Sequence, residues 1–437
     1  MIDKQADMSY NFKAALRNIL HSAVFRVMYI CTIKYERRIG MNVLRRCWAE
    51  ISLDSIAYNY TQYKKYIGED TDIMCVVKAS CYGHGDKIIA PFLQNELGVK
   101  HFAVSNLLEA ERLRNMGITG EILILGYTPE ENADDLVKFD IVQACTEYSY
   151  ARSLSENCTS GNVRLHAAID TGMTRIGLHG DVSSIADELK EISKLENISL
   201  EGIFTHYASA DGCDQSDDDY TKMQTEKFFA VSDAAKAAGT ELGQVHILNS
   251  AGGIYHFDKR STFARLGIIL YGLYPNPQKE LPFKPKPVMT LKAVVSQVKY
   301  IDSGTAVSYG RTYHAGERVK LATVTAGYAD GFPRKLSNVG EVIIRGKRCK
   351  ITGRICMDQF MCDVSALDDV CVGDEVTLMN DEITADDIAA LTGTIGYEIV
   401  CGISHRVPRV LTGRGNSLRS ASSLSAVRTS HLVLGRN

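Results

Sequence analysis

The sequence lacks the features that mark membrane proteins, disulfide-rich secreted proteins and zinc proteins. Its 12 cysteines are scattered and include no CxxC pair, so we expect reduced thiols in a cytoplasm and no metal site. The apolar segment at 19–33 is interrupted by His21 and Arg26, is too short to span a bilayer and is followed by no small-residue cleavage site. The net charge of -3 favours neither nucleic acid nor an anionic membrane as a partner.

The length of 437 residues exceeds that of a usual single domain, so two domains are expected. A proline cluster between positions 275 and 287 indicates a linker. A regular pattern begins only at Trp48, and the end of the chain is rich in Ser, Gly and Arg. We predict a poorly ordered extension at 1–45, in which Met41 is a possible true start, a first domain at 46–285, a second at 286–412 and a flexible tail at 413–437.

The first domain alternates short apolar runs with amphipathic stretches, which is the pattern of repeated βα units. A doubly wound open sheet stays possible, but its glycine fingerprint is missing after the first strand. Eight runs follow the first one, and eight is the number of strands that closes a (β/α)8 TIM-type barrel. The strand-like runs are 48–53, 73–78, 101–105, 121–126, 141–145, 163–170, 200–206, 245–249 and 263–270.

Beyond the linker the chain has alternating β-rich runs and one helix-like stretch at 384–391. This texture predicts a mostly antiparallel β domain of about 130 residues. The runs are 289–300, 318–325, 340–344, 348–355, 359–363 and 375–378.

Lys78 ends the apolar run 73–77 and is followed by a Tyr-Gly-His-Gly turn. A lysine at the carboxyl end of a buried strand is costly unless its amine is paired, neutralised or used covalently. One interpretation is an imine-forming lysine, with pyridoxal phosphate as the cofactor. The other is a lysine that extends its charged end to solvent, and this stretch alone favours that second interpretation.

Other predicted strands also end in polar residues, and the carboxyl ends of barrel strands share one face. Each of these residues alone is more often structural than functional. Together they indicate one common site, and they are Asp170 with Arg175, His206, His246 with Asn249 and Ser250, and Arg265.

The stretch from Asn249 to Gly253, followed by Arg265 and Gly267, resembles a phosphate-binding site built by late barrel loops. If Arg265 faces a pyridine nitrogen, its permanent proton keeps that nitrogen unprotonated. The cofactor is then a weaker electron sink, which suits reversible removal of an α-proton.

The chain resembles the bacterial alanine racemases in ten motifs that keep their order from Val76 to Arg409. The resemblance implies a barrel followed by a β domain, pyridoxal 5'-phosphate on Lys78, and a homodimer whose sites are completed by the partner. It also implies a role in supplying D-alanine for peptidoglycan. The motifs are VVKASCYGHG, DTGMTRIGL, THYASAD, HILNSAG, ARLGIILYGLYP, VSYGRTY, AGYADGF, GRICMDQ, GYE and ISHRVPR.

Racemisation requires a proton-handling group on each face of a planar carbanion. The resemblance implies Lys78 for one face and Tyr309 from the partner subunit for the other. A tyrosine is a weak base without assistance, and His206 matches the family histidine that hydrogen-bonds this tyrosine. Arg265 and His246 support that network. Without the resemblance, Tyr309 reads as an exposed aromatic residue in a turn.

The remaining site residues are likewise implied by the resemblance. Arg175 and the backbone N–H of Met357 are expected to bind the substrate carboxylate, and Tyr328 of the partner is expected at the entrance. Tyr397 is expected to narrow the site for a methyl side chain. The residues expected to hold the cofactor phosphate are Tyr82, Ser250, Gly267, Ile268 and Tyr397, with Asn249 beside them.

One departure from the family pattern is Ala168, two residues before Asp170, where many members have a carbamylated lysine that orients the arginine here numbered Arg175. Four alternatives to alanine racemisation are considered. A serine racemase is disfavoured by Tyr397, whereas a racemase of broad specificity stays open. A decarboxylase is disfavoured by its different substrate motifs. A non-catalytic pyridoxal-phosphate carrier is a lone barrel, and residues 289–409 with Tyr309 argue against it.

Overall fold

The computed structural model describes residues 46–412 and the backbone strand Arg419–Ser420. The predictions for 1–45 and, apart from that strand, for 413–437 lie outside the described residues. No helix among the described residues is long and apolar enough to cross a membrane. The same residues contain no group of three or more Cys, His, Asp or Glu side chains that is suited to a metal ion.

Eight parallel strands form the first part of the fold. They are paired in the order β8-β7-β6-β5-β4-β3-β2-β9. The two end strands meet where Leu248, two residues beyond β8, forms a parallel bridge with Ala264 of β9 and accepts from Arg265 N (2.9 Å). The predicted barrel of eight strands is therefore confirmed. The strands are β2 (Asp72–Val76), β3 (His101–Val104), β4 (Glu121–Ile124), β5 (Val142–Cys145), β6 (Val163–Ala168), β7 (Ile198–Phe204), β8 (Gln244–His246) and β9 (Phe263–Leu266).

Helices follow most of these strands and cover the outside of the barrel. Side-chain caps begin several of them: Asn106 Oδ1 accepts from Glu109 N, and Asn249 Oδ1 accepts from Gly252 N. Because helices cover the sheet, the strands are buried on both faces and read as continuous apolar runs. The helices are α1 (Leu53–Ile67), α2 (Asp86–Leu97), α3 (Leu107–Asn115), α4 (Ala133–Lys138), α5 (Tyr148–Asn157), α6 (Val182–Ile192), α7 (Gln215–Ala237) and α8 (Ser250–Tyr255).

The second part is a nine-stranded, mostly antiparallel sheet, as predicted, with the order β13-β16-β15-β14-β17-β10-β1-β18-β19. Helices α9 (Ala385–Thr392) and α10 (Gly396–Cys401) lie between β17 and β18 in the chain. The strands are β1 (Cys47–Ser52), β10 (Met289–Ile301), β13 (Val319–Val324), β14 (Glu341–Ile344), β15 (Lys347–Thr352), β16 (Phe360–Asp363), β17 (Glu375–Met379), β18 (Arg409–Thr412) and β19 (Arg419–Ser420); the short β11 (Ala306–Val307) and β12 (Tyr313–His314) form a separate pair.

Strand β1 precedes the barrel in the chain but belongs to the second sheet. It pairs antiparallel with β10 and parallel with β18. The first and last described parts of the chain therefore meet in one sheet. The domain boundary at 285/286 stays a prediction.

Candidate active site

Lys78 lies just beyond the carboxyl end of β2, at the start of a left-handed turn. Four consecutive residues, Ala79 to Tyr82, have φ values of 52°, 53°, 56° and 52°. None of them is glycine, and L-residues avoid this region at a cost of about 1–2 kcal/mol each. Such strain persists only where surrounding contacts determine the conformation.

Contacts from three directions hold this turn. Glu109 accepts hydrogen bonds from Ala79 N and Ser105 N, both at 2.8 Å. From β18, Arg409 donates through Nε and Nη2 to Gly83 O at 2.9 and 2.7 Å. The ring of Tyr82 stacks on Tyr271, with ring centroids 4.9 Å apart. The turn that positions Lys78 therefore depends on both the barrel and the second sheet.

The electrostatic surroundings of Lys78 favour its neutral form. Burial lowers the pKa of Lys78 below its ordinary value, the positive charges of Arg175 and Arg265 lower it further, and Glu109 opposes them. Only a neutral amine can attack a carbonyl carbon. Lys78 is therefore suited to forming a covalent bond with an aldehyde.

Arg265, on β9, is 2% exposed and donates hydrogen bonds in several directions. Its Nη1 lies 2.8 Å from His246 Nδ1, and its Nη2 lies 2.6 Å from Thr205 O and 3.4 Å from His206 Nδ1. Burial lowers the pKa of Arg265 to about 10, so the guanidinium stays charged at neutral pH. It can donate to a ligand but cannot accept from one.

The surroundings of the two histidines bound by Arg265 favour their neutral forms. Burial, followed by the charge of Arg265, lowers the pKa of both His206 and His246 well below its ordinary value. Because Nδ1 of each ring faces the guanidinium, the proton of each ring lies on Nε2. His206 lines the same cavity as Lys78.

Two hydroxyl groups converge on the backbone of Gly267. Ser250 Oγ accepts from Gly267 N at 2.8 Å, and a Cβ at Gly267 would lie only 2.9 Å from Tyr82 Oη. A glycine is thus needed to leave this corner open. Hydroxyls beside a glycine backbone are the groups that bind phosphate oxygens.

These residues surround one cavity of about 110 Å³ at the carboxyl ends of the barrel strands. The structure therefore brings together nine of the predicted site residues: Lys78, Tyr82, His206, Asn249, Ser250, Arg265, Gly267, Ile268 and Tyr397. Tyr397 belongs to α10, and its ring lies 6.3 Å from that of Tyr82. The role of each residue stays a prediction.

Tyr309 does not line this cavity. Its side chain is 70% exposed, and it lines a separate open depression of about 280 Å³ with Ser308, Cys356 and Met361. Tyr328 and Met357 are also exposed, at 43% and 52%, and their backbones are adjacent. Large exposed side chains grouped in this way are typical of surfaces that another chain covers.

Arg175 is exposed, and within 46–412 it forms no hydrogen bond or ion pair. Its positive charge nevertheless lowers the pKa of Lys78, His206 and Arg265. Ala168 is buried in an apolar cluster with Ala144 and Phe204. None of those side chains takes over the orienting charge that the family pattern assigns to this position.

Asp211 was missed by the sequence analysis. It lines the cavity, although it lies five residues beyond His206, in the loop after β7. Its side chain adds a carboxylate to a site that otherwise carries positive charge. The only sequence signal was its place at the end of the THYASAD motif.

The comparisons with known proteins agree with this geometry. Residues 51–275 match the model of the alanine racemase N-terminal domain, and residues 288–411 match that of the C-terminal domain. A protein named alanine racemase from Clostridium tetani is 42% identical over 381 residues, which are 85% of this chain and 97% of the relative.

Solved structures give the same result. That of alanine racemase from Clostridium difficile 630 has a TM-score of 0.82 and 39% identity, covering 86% of this chain and 98% of the other. The alanine racemase of Bacillus anthracis with bound L-Ala-P has a TM-score of 0.79 and 34% identity, covering 86% and 96%.

Proposed function

Because this chain belongs to the alanine racemase family, we propose that it interconverts L- and D-alanine with pyridoxal 5'-phosphate bound at Lys78. The observation that carries the proposal is the cavity that is lined together by the half-buried amine of Lys78, the buried guanidinium of Arg265 and the two hydroxyls of Tyr82 and Ser250. Its product D-alanine would supply peptidoglycan synthesis.

The residues present fit this cofactor. Pyridoxal phosphate offers an aldehyde, a ring nitrogen that accepts a hydrogen bond and a phosphate, and the cavity offers a complementary group for each. Lys78 would bond to the aldehyde carbon, and Arg265 would donate to the ring nitrogen. Tyr82, Ser250 and Gly267 would hold the phosphate, together with Asn249, Ile268 and Tyr397. When bound, the cofactor withdraws electrons from the α-carbon of an amino acid and makes its α-hydrogen acidic.

The proton transfers are assigned to two residues of this sequence. Lys78, whose neutral form is favoured by burial, would take or return the α-proton on one face of the substrate. Tyr309 of a second subunit would act on the opposite face, and the Nε2–H of His206 would bind its oxygen. Arg175 and the N–H of Met357 from the second subunit would bind the substrate carboxylate, with Tyr328 at the entrance.

The first experiment follows the exchange of the α-hydrogen of each alanine enantiomer with solvent deuterium. In Lys78→Ala we expect exchange to be lost and the visible absorbance of the cofactor-loaded protein to disappear. In Tyr309→Phe we expect exchange from L-alanine to be lost and exchange from D-alanine to persist. Tyr300→Phe is a matched control, because Tyr300 is similarly exposed but contacts Arg318 instead. Equal loss from both enantiomers in Tyr309→Phe would contradict the assignment of two bases.

A second experiment tests the proposed homodimer with shared sites. We expect neither Lys78→Ala nor Tyr309→Phe chains to racemise alanine alone, whereas a mixed dimer would contain one intact site. After random mixing we expect about a quarter of wild-type activity, because half the dimers are mixed and each has one working site of two. Differently tagged chains would verify that subunits have exchanged. If activity is not recovered after verified exchange, the proposal that two subunits share each active site is contradicted.

Alanine is proposed over serine as the substrate because the half-buried Tyr397 lines the cavity and its ring would leave little room for a larger side chain. One additional atom on the substrate is discriminated by about 1–3 kcal/mol. We expect Tyr397→Ser to raise kcat/KM for serine relative to alanine, and Tyr274→Phe to leave the ratio unchanged.

We also propose a cytoplasmic location, which is supported by the free cysteines of the described residues.

A further inference from the structure

Two buried histidines and a glutamate extend from Arg265 through the inside of the barrel, away from the cavity. His246 and His166 are fully buried, and His246 Nε2 lies 3.0 Å from His166 Nδ1. Glu121 is the first residue of β4 and thus lies at the amino end of the barrel, opposite Lys78. Residues at that end usually serve stability.

The hydrogen bonds from Arg265 can run in one direction only. A guanidinium has no acceptor, so His246 Nδ1 must accept from Arg265 and the proton of His246 must lie on Nε2. That Nε2–H must then donate to His166 Nδ1, which leaves the proton of His166 on its own Nε2. Each ring therefore has one permitted tautomer, and the chain ends at a donor on His166.

The candidate acceptor for this donor is the carboxylate of Glu121. Its Oε2 accepts from Arg164 Nη2 at 2.8 Å, and its buried Oε1 lies 3.5 Å from His101 Nδ1. The buried His166 Nε2 forms no direct hydrogen bond within 46–412. The negative charge of Glu121 acts on His166. Gly202 leaves room for this ring, since a Cβ there would lie 2.7 Å from His166 Nε2. A buried polar group without a direct partner is commonly satisfied by a bound water molecule, and such a water can also donate to a carboxylate.

We propose that Glu121 is a positioning residue for Arg265: it accepts the Nε2–H of His166 through one buried water and so fixes both histidines in the tautomers that accept from Arg265. If this acceptor is lost, the proton of His166 can move to Nδ1, and His246 must then carry its proton on Nδ1. Two donors would face each other between His246 and Arg265, and the guanidinium would leave its place in the cavity.

The decisive measurement is the tautomer of each ring in the cofactor-loaded, full-length protein with ¹⁵N-labelled histidine. Long-range ¹H–¹⁵N spectra distinguish Nδ1–H from Nε2–H, and His166→Gln and His246→Gln assign the signals. In the wild type we expect both rings to be neutral with the proton on Nε2. A proton on Nδ1 of either ring, or a charged ring at neutral pH, would overturn the proposal without any variant of Glu121.

Variants then test the role of the carboxylate. Glu121→Leu removes the acceptor, and we expect His166 to shift to the Nδ1–H tautomer and kcat/KM to fall about tenfold, as for one lost hydrogen bond to a charged group. Glu121→Gln keeps an acceptor oxygen, so we expect both histidines to keep the tautomers of the wild type. Glu201→Gln is the matched control, because Glu201 also binds Arg164, at 2.8 Å, and we expect it to leave the spectra unchanged.

The outcomes separate this proposal from the proposed function. The tautomers are measured without substrate, so they test the hydrogen-bond chain whether or not the protein racemises alanine. Unchanged tautomers in Glu121→Leu, or the same shift in Glu201→Gln, would overturn the role of Glu121. The expected fall in kcat/KM rests on the proposed function, and its absence beside shifted tautomers would overturn the link between Arg265 and catalysis.

Discussion

Replacing Asp330 is expected to destabilise the protein and weaken substrate binding together. Its carboxylate is fully buried and accepts hydrogen bonds from Arg46 Nη1 (2.7 Å), Arg46 Nη2 (3.0 Å), Arg406 Nε (2.8 Å) and Gly327 N (2.9 Å). Arg406 also binds Asp358 at 2.7 Å. These hydrogen bonds among Arg46, Asp330, Arg406 and Asp358 therefore connect the two loops that carry Tyr328 and Met357.

The size of the expected loss of stability follows from how deeply the charges of this cluster are buried. Burial by itself raises the pKa of Asp330, but the hydrogen bonds from Arg46 and Arg406 outweigh burial and hold the pKa below its ordinary value. Breaking a buried ion pair costs about 3–5 kcal/mol. The two arginine side chains are 32% and 41% exposed, so water can partly replace the lost partner. For Asp330→Asn we expect a loss of about 2–3 kcal/mol in the free energy of unfolding.

The assay is urea unfolding followed by circular dichroism, combined with KM for alanine. Asp358→Asn is the matched control, because Asp358 binds the same Arg406 but is 51% exposed; we expect it to lose less than about 1 kcal/mol. Asp330→Asn should also raise KM more than it lowers kcat, because the loops that carry Tyr328 and Met357 are proposed to bind the substrate and not to transfer its proton. Equal destabilisation by the two variants would refute the argument from burial, and an unchanged KM would refute the link to the loops.

Two further predictions concern the turn after Lys78 and the buried histidines. Gly83→Ala should lower the melting temperature and weaken cofactor binding, because a Cβ there would lie 2.2 Å from a backbone carbonyl oxygen; Gly68→Ala has a similar φ but open space, so equal effects would contradict this. Burial lowers the pKa of His84 and His166 from 6.5 to about 4. The unfolded chain therefore binds more protons between these values, and stability should fall as pH decreases from 6.5 to 4, by about 3 kcal/mol per histidine. Urea unfolding at several pH values measures this, and a loss confined to pH below 4 would contradict it.

The sequence was informative wherever strands set the geometry. Lys78, His206 and Arg265 could be grouped in advance because the carboxyl ends of parallel strands share one face. The apolar run at 48–53 was recognised as a strand, but its pairing with β10 was not, since periodicity reports a strand and not its neighbour. The closed barrel could be predicted from the number of apolar runs in the sequence alone.

Other features had no sequence signal. The left-handed turn at 79–82 contains no glycine, so nothing in its composition indicated a positive φ. Asp211 reaches the cavity from a loop, where periodicity gives no direction. The approach of His166 to His246 depends on the register of β6, β7 and β8, which the individual runs do not specify.

The site depends on the second sheet even for the residues of the barrel. Arg409 of β18 is buried and makes two hydrogen bonds to Gly83 O, next to the strained turn that carries Lys78. Tyr397 closes one side of the cavity from α10. The strand that carries Arg409 also pairs with β1, the first strand of the described chain. A barrel alone would leave four left-handed residues without part of their support, so both parts of the fold build the site together.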